Sequence, residues 1–149
     1  MAEAIIPTLE VILVPAGAEH RAVQRAMRSI PHSPQIVPIP AGPQALQQFL
    51  AGWAGPALSA TGGILLLGLG GSLSPQLGVG DRVLLTTLWD DGQTDTAYPT
   101  HGPLTQWIAQ QLPQATVADG VSCDRVVTTI AEKRALGDRY GPLWWRWKG

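Results

Sequence analysis

Residues 64–88 constrain this chain more than any other stretch. They read Ile-Leu-Leu-Leu-Gly-Leu-Gly-Gly-Ser-Leu-Ser-Pro-Gln-Leu-Gly-Val-Gly-Asp-Arg-Val-Leu-Leu-Thr-Thr-Leu. The run from Ile64 to Leu67 has no polar side, which predicts a strand buried on both faces, as in a parallel sheet. It ends in Gly68, Gly70 and Gly71, where the backbone can bend sharply and come close to a ligand. The corner Gly78-Val79-Gly80-Asp81 then opens a second strand over residues 82–88. Ligands of open α/β sheets sit beyond the carboxyl ends of strands. The turn formed by Gly68, Leu69, Gly70, Gly71 and Ser72 is therefore the first candidate binding site.

Two common glycine-rich motifs do not fit. A dinucleotide fingerprint needs a third glycine and a helix directly behind it, but Leu73 takes that place and another strand follows. A P-loop needs a Lys followed by Ser or Thr, and the turn has no Lys. The alternative is a glycine-rich connection without a ligand.

The order of residues is more specific. Gly68-Leu69-Gly70-Gly71-Ser72-Leu73-Ser74-Pro75-Gln76-Leu77-Gly78-Val79-Gly80-Asp81 resembles a segment of the nucleoside phosphorylase superfamily. That superfamily includes purine nucleoside and uridine phosphorylases and the methylthioadenosine/S-adenosylhomocysteine nucleosidases. Leu69 stands where the family often has a hydroxyl residue, and Ser72 replaces the second glycine of its pair. Two further stretches carry the resemblance. Gly17-Ala18-Glu19 resembles the turn after the first strand, where the family places a catalytic or water-orienting acid. Ser122-Cys123-Asp124-Arg125-Val126 resembles the Ser-Gly-Asp-x-Phe stretch that lines a purine pocket, with Val126 in place of the aromatic. The resemblance implies a three-layer α/β/α sandwich with a mixed, mostly parallel sheet. It also implies chemistry at the N-glycosidic bond of a purine nucleoside, with inorganic phosphate as a possible co-substrate and no other cofactor.

The rest of the chain agrees with alternating strands and helices. Residues 9–14 read as a strand. Residues 19–30 read as a helix with Val23, Ala26, Met27 and Ile30 facing inward, ended by Pro31. Glu19 also suits the first turn of that helix, where the dipole favours a negative charge. Residues 35–39 form a strand that Pro38 confines to a sheet edge. Pro43 opens a helix with Leu46, Phe49, Leu50 and Trp53 on one face, and Gly55-Pro56 ends it. Pro103 opens another, with Leu104, Trp107, Ile108 and Leu112 inward. Residues 115–121 read as a strand, and Thr129-x-x-Glu132 as a capping box that starts a helix. The run from Trp89 to Asp95 carries Asp90, Asp91 and Asp95; acid/base chemistry or a metal is one reading, a solvated loop around Asp91-Gly92 the other, and the resemblance implies that this loop lies close to the substrate's sugar. His20, His32 and His101 show no metal-ligand spacing, so no metal site is expected.

Composition narrows the class of function. The chain has 149 residues, enough for one domain with a real core, and one domain over residues 1–149 is expected. A net charge of −1 argues against a nucleic-acid surface. The single cysteine, Cys123, reads as a small buried hydrophobe and fits a reducing cytoplasm. No signal peptide or membrane span is evident.

The end of the chain is out of character. Gly-Pro-Leu-Trp-Trp-Arg-Trp-Lys-Gly holds Trp144, Trp145 and Trp147, half of the tryptophans. An interfacial anchor is one reading of Trp beside Arg and Lys. In the family, a strand ending in Val-x-Met-Glu stands here, and its Glu holds the ribose hydroxyls. Trp has a single codon; with the remaining codons chosen to fit, GGG CCG TTG TGG TGG AGA TGG AAG GG for residues 141–149 would give Ala-Val-Val-Val-Glu-Met-Glu-Gly if the frame moved by two bases. The expectation is a chain cut short by a frameshift, missing C-terminal elements, with impaired catalysis and apolar surface that favours self-association. The alternative is a non-catalytic remnant that binds a nucleoside or a partner.

Overall fold

The computed structural model describes residues 6–92, 96–141 and 144–147, with Pro43 and the last four described by backbone alone. Residues 1–5, Gln93, Thr94 and Asp95 of the carboxylate-rich loop, and Pro142, Leu143, Lys148 and Gly149 of the tail lie outside the described residues. The chain divides into two compact units, Met1–Leu69 and Gly70–Gly149.

The first unit runs β1 (Thr8–Pro15), α1 (Ala18–Met27), β2 (Gln35–Ile39), α2 (Pro43–Gly52) and β3 (Gly62–Leu66). Its strands are parallel in the order β2-β1-β3. Side chains alternate across the pleat. Val11, Leu13, Val37 and Ile39 form one buried face, and Leu46, Phe49 and Trp53 of α2 and its C-cap pack on it. The Phe49 and Trp53 rings stack 6.2 Å apart. Ile36 points to the other face and shares a shallow depression with Met27 of α1. The unit is thus three layers, α1, sheet and α2. A bulge between Leu9 and Val11 frees Glu10, whose carboxylate accepts the Ser59 N–H at 3.1 Å and the Ser59 hydroxyl. A Cβ at position 62 would fall 2.6 Å from that carboxyl carbon, so Gly62 leaves it room.

The second unit runs β4 (Gly71–Ser72), β5 (Val83–Asp90), β6 (Thr96–Pro99), α3 (Gly102–Gln111), β7 (Thr116–Cys123), α4 (Ile130–Tyr140) and β8 (Trp144–Trp147). Its sheet has the order β4-β8-β7-β5-β6. The three inner strands are parallel, and the short edges β4 and β6 run antiparallel. Val121, Cys123, Val127, Leu136 and Tyr140 form its core, with Leu73 and Trp89 against it. The α/β class and the mostly parallel strands read from the sequence are both present. No helix among the described residues is long and apolar enough to cross a membrane.

Several local expectations need correction. Residues 64–67 are not buried on both faces: Ile64, Leu66 and Leu67 are each 40% exposed. β3 is an edge strand of its sheet, so an apolar run here marks a strand without marking a central one. α1 stops at Met27, and Ile30 lies outside it, 48% exposed. Pro31 disfavours helical dihedrals at the residue before it, and the chain closes with a tighter bond from the Ile30 N–H to Met27 O. Ala26 is also exposed. Leu50 and Leu112 are exposed although their spacing predicted burial, and α2 ends at Gly52. Trp89 and Asp90 belong to β5 and not to a loop, pairing with Val121 and Ser122 on one side and Ala97 and Thr96 on the other.

Candidate functional site

In the first unit, four of the residues singled out from sequence come together. β1 ends at Pro15, and the chain turns through Gly17 with φ 105° and ψ −131°, a conformation that L side chains rarely adopt. That turn starts α1, which puts Glu19 in its first turn. Leu67 extends β3 by donating to Leu13 O at 2.9 Å, so Gly68 and Leu69 follow at the carboxyl edge. There the Leu69 N–H donates to Glu19 Oε1 at 2.8 Å. A Cβ on Gly68 would lie 3.5 Å from the same oxygen, an ordinary contact, so this glycine is not demanded by space. The Leu69 side chain is 79% exposed, so only its peptide group takes part.

In the second unit, Gly71 and Ser72 form β4, which pairs with Trp145 and Trp144 of β8. β8 in turn runs parallel to β7, matching Gly120 through Cys123. The Ser72 hydroxyl donates to Ser74 O at 2.6 Å and accepts the Ser74 N–H at 3.0 Å. It therefore serves the local turn. Asp124, Arg125 and Val126 follow directly after β7. Val126, where the family has an aromatic, is 48% exposed.

Arg125 lies among carboxylates, 3.7 Å from Asp91, from Asp124 and from Glu132. Asp91, its side chain 12% exposed, also accepts the Tyr140 hydroxyl at 2.8 Å and pairs with Arg139 at 3.5 Å. Thr129 and Glu132 form the expected capping box. The Thr129 hydroxyl accepts the Glu132 N–H, and the Glu132 carboxylate accepts the Thr129 N–H at 3.2 Å. Bonds from the Thr129 side chain, then from its backbone, hold the Glu132 carboxyl below its ordinary value, with Arg125 contributing. The sequence read the Asp91 loop as solvated, with only the resemblance putting it near a sugar, and did not single out Arg139 or Tyr140.

These two arrangements have different chemistry. Glu19 is a carboxylate with one oxygen fixed by a backbone donor and the other without a protein partner among the described residues. Such a group can orient a water or take its proton. The Arg125 cluster has no surplus positive charge to offer an anion, since three carboxylates surround two guanidinium groups.

No protein-family model and no curated protein matches the chain. Among solved structures it is similar to a futalosine hydrolase variant from Helicobacter pylori, at TM-score 0.69 and 13% identity, covering 93% of this chain and 78% of that one. It is similar to the Campylobacter jejuni 5′-methylthioadenosine/S-adenosylhomocysteine nucleosidase at TM-score 0.68 and 13% identity, over 94% of this chain and 76% of that one. A variant of the Helicobacter pylori nucleosidase with 5′-methylthioadenosine in its active site gives TM-score 0.66 and 15% identity, over 92% and 74%. The chain has the fold of these nucleosidases and spans about three quarters of their length. The resemblance read in the glycine-rich segment therefore holds at the level of fold.

Proposed function

We propose that this chain handles purine nucleosides at the N-glycosidic bond, as a hydrolase with lowered turnover. The observation that carries the reading is the Glu19 carboxylate held on the Leu69 N–H at 2.8 Å, at the carboxyl edge of β1 and β3. In this reading Glu19 orients a water toward the anomeric carbon of the sugar. The carbon–nitrogen bond breaks with oxocarbenium character, the water oxygen bonds to that carbon as Glu19 takes one of its protons, and the leaving base takes up a proton from solvent. In the first unit Gly17, Gly68 and Leu69 are the proposed substrate-binding residues beside Glu19, and in the second unit the resemblance proposes Gly70, Gly71, Ser72, Asp124, Arg125 and Val126.

Water is preferred over phosphate as acceptor on electrostatic grounds. A phosphate at the glycine turn would meet the Glu19 charge, and the Leu69 N–H that could bind it is already engaged. Lowered turnover follows from residue identity in the tail. Trp145-Arg146-Trp147-Lys148 occupies the stretch where the resemblance implies Met-Glu, so no carboxylate there grips the ribose. Binding without turnover is the alternative, and it rests on the same substitution.

We take the two units as parts of one nucleosidase-like domain, because likeness over 92–94% of the chain runs through both. The half-exposed Ile64, Leu66 and Leu67 favour a homo-oligomer, and the composition favours the cytoplasm. The test is incubation of the purified chain with adenosine, inosine and 5′-methylthioadenosine, with and without phosphate. Slow release of free base without phosphate is expected. Absence of both binding and base release would refute the reading, and binding without release would leave the alternative.

A further inference from the structure

We propose that Asp91 is a positioning residue for the loop that carries Asp124 and Val126, acting through Arg125 and Tyr140; the proposal rests on the nucleoside reading above. Asp91 follows directly on β5, and its N–H donates to Ser122 O at 3.1 Å. Its carboxylate is 12% exposed, and a carboxylate so far removed from water must be paired. Tyr140 at the end of α4 supplies a hydroxyl at 2.8 Å, Arg139 a guanidinium at 3.5 Å, and Arg125 another at 3.7 Å. Asp91 thus joins the end of β5, the end of β7, the last turn of α4 and the loop between β7 and α4.

Arg125 carries the tie onward. The same guanidinium reaches Glu132 at 3.7 Å, and Glu132 closes the N-terminal cap of α4. Val127, two residues beyond Arg125, is buried in the core. The loop is therefore held at Arg125 and at Val127, on either side of Val126. Val126 remains 48% exposed, and the Asp124 side chain 71%. This geometry separates the three candidates on the loop. Arg125, its own side chain 53% exposed, is tied back to Asp91 and Glu132 as a brace, while Asp124, 3.7 Å from the same guanidinium, and Val126 stay exposed on the stem it holds.

The test compares the whole chain with its Asp91→Asn, Asp91→Glu and Tyr140→Phe variants. Amide hydrogen exchange over residues 124–127 reads the brace directly, and kcat and KM for base release from the three nucleosides read its consequence. Asp91→Asn should speed exchange over that segment and raise KM by about tenfold, with kcat little changed, as expected for a lost hydrogen bond to a charged group. Asp91→Glu should recover part of the loss. If Asp91→Asn does not fold, Tyr140→Phe, which removes one hydroxyl, should show the same pattern more weakly. Unchanged exchange in the folded variants, or a fall in kcat at constant KM, would overturn the proposal. A wild-type chain that neither binds nor cleaves a nucleoside would overturn the functional reading, and with it the positioning role. The exchange measurement would still decide whether the brace exists.

Discussion

Glu19 is one of ten residues of α1, yet the functional account turns on it. Its charge is favoured at a helix N-terminus whatever its function, so stability alone would not reveal a catalytic role. Glu19→Gln separates the two. The amide oxygen can still accept the Leu69 N–H, so nucleoside binding should hold while kcat falls by about a hundredfold, within the usual range for a general base. Equal turnover in the variant would remove Glu19 from the chemistry. Gly17 tests the turn that delivers it. Its φ of 105° is strained for any side chain, so Gly17→Ala should lower unfolding stability by about 1–2 kcal/mol in a denaturant titration. Both residues were legible because turn and acid are adjacent in sequence. Asp91 was legible only as part of a loop that the resemblance puts near the sugar, because its Tyr140 partner is 49 residues away and a run of carboxylates gives no sign of what faces it.

The helices and strands were legible to different depths. The capping box of α4 was read correctly from four residues because every group in it is local. Thr129→Ala should cost about 1 kcal/mol by thermal or chemical unfolding. The cost should depend on pH. Glu132 has its carboxyl held below the ordinary value in the folded chain, so the unfolded chain binds its proton more readily. The stabilisation from its ionised form is present above the ordinary carboxylate range and fades as pH falls through the lowered value. The Thr129→Ala penalty should therefore shrink on acidification below about pH 4; a penalty that grows there would contradict the cap as described. Burial was read less well. The spacing of Ile30, Leu50 and Leu112 fits an inward stripe, but periodicity cannot say where a helix ends or how wide its covered face is. For the same reason the run of residues 64–67 predicted β3 without predicting its edge position. Only strand order decides that, and strand order is set by pairings distant in sequence.

At the scale of the molecule, the fold was legible through one fourteen-residue segment, residues 68–81, and through alternating strands and helices. Overall identity to the similar structures is only 13–15%, so a short segment with specific spacing said more about the fold than the chain as a whole. The tail was less legible. Trp144–Trp147 forms a strand parallel to β7, the element the resemblance implies, built from different residues. That pairing of retained backbone and altered chemistry is why slow hydrolysis is the expected behaviour. The most direct test is base release from the three nucleosides in phosphate-free buffer, measured for the wild-type chain and for Glu19→Gln. The account predicts slow release that is abolished or strongly reduced by the substitution and not accelerated by added phosphate. Release that requires phosphate, release unaffected at Glu19, or no release from any of the three would contradict it.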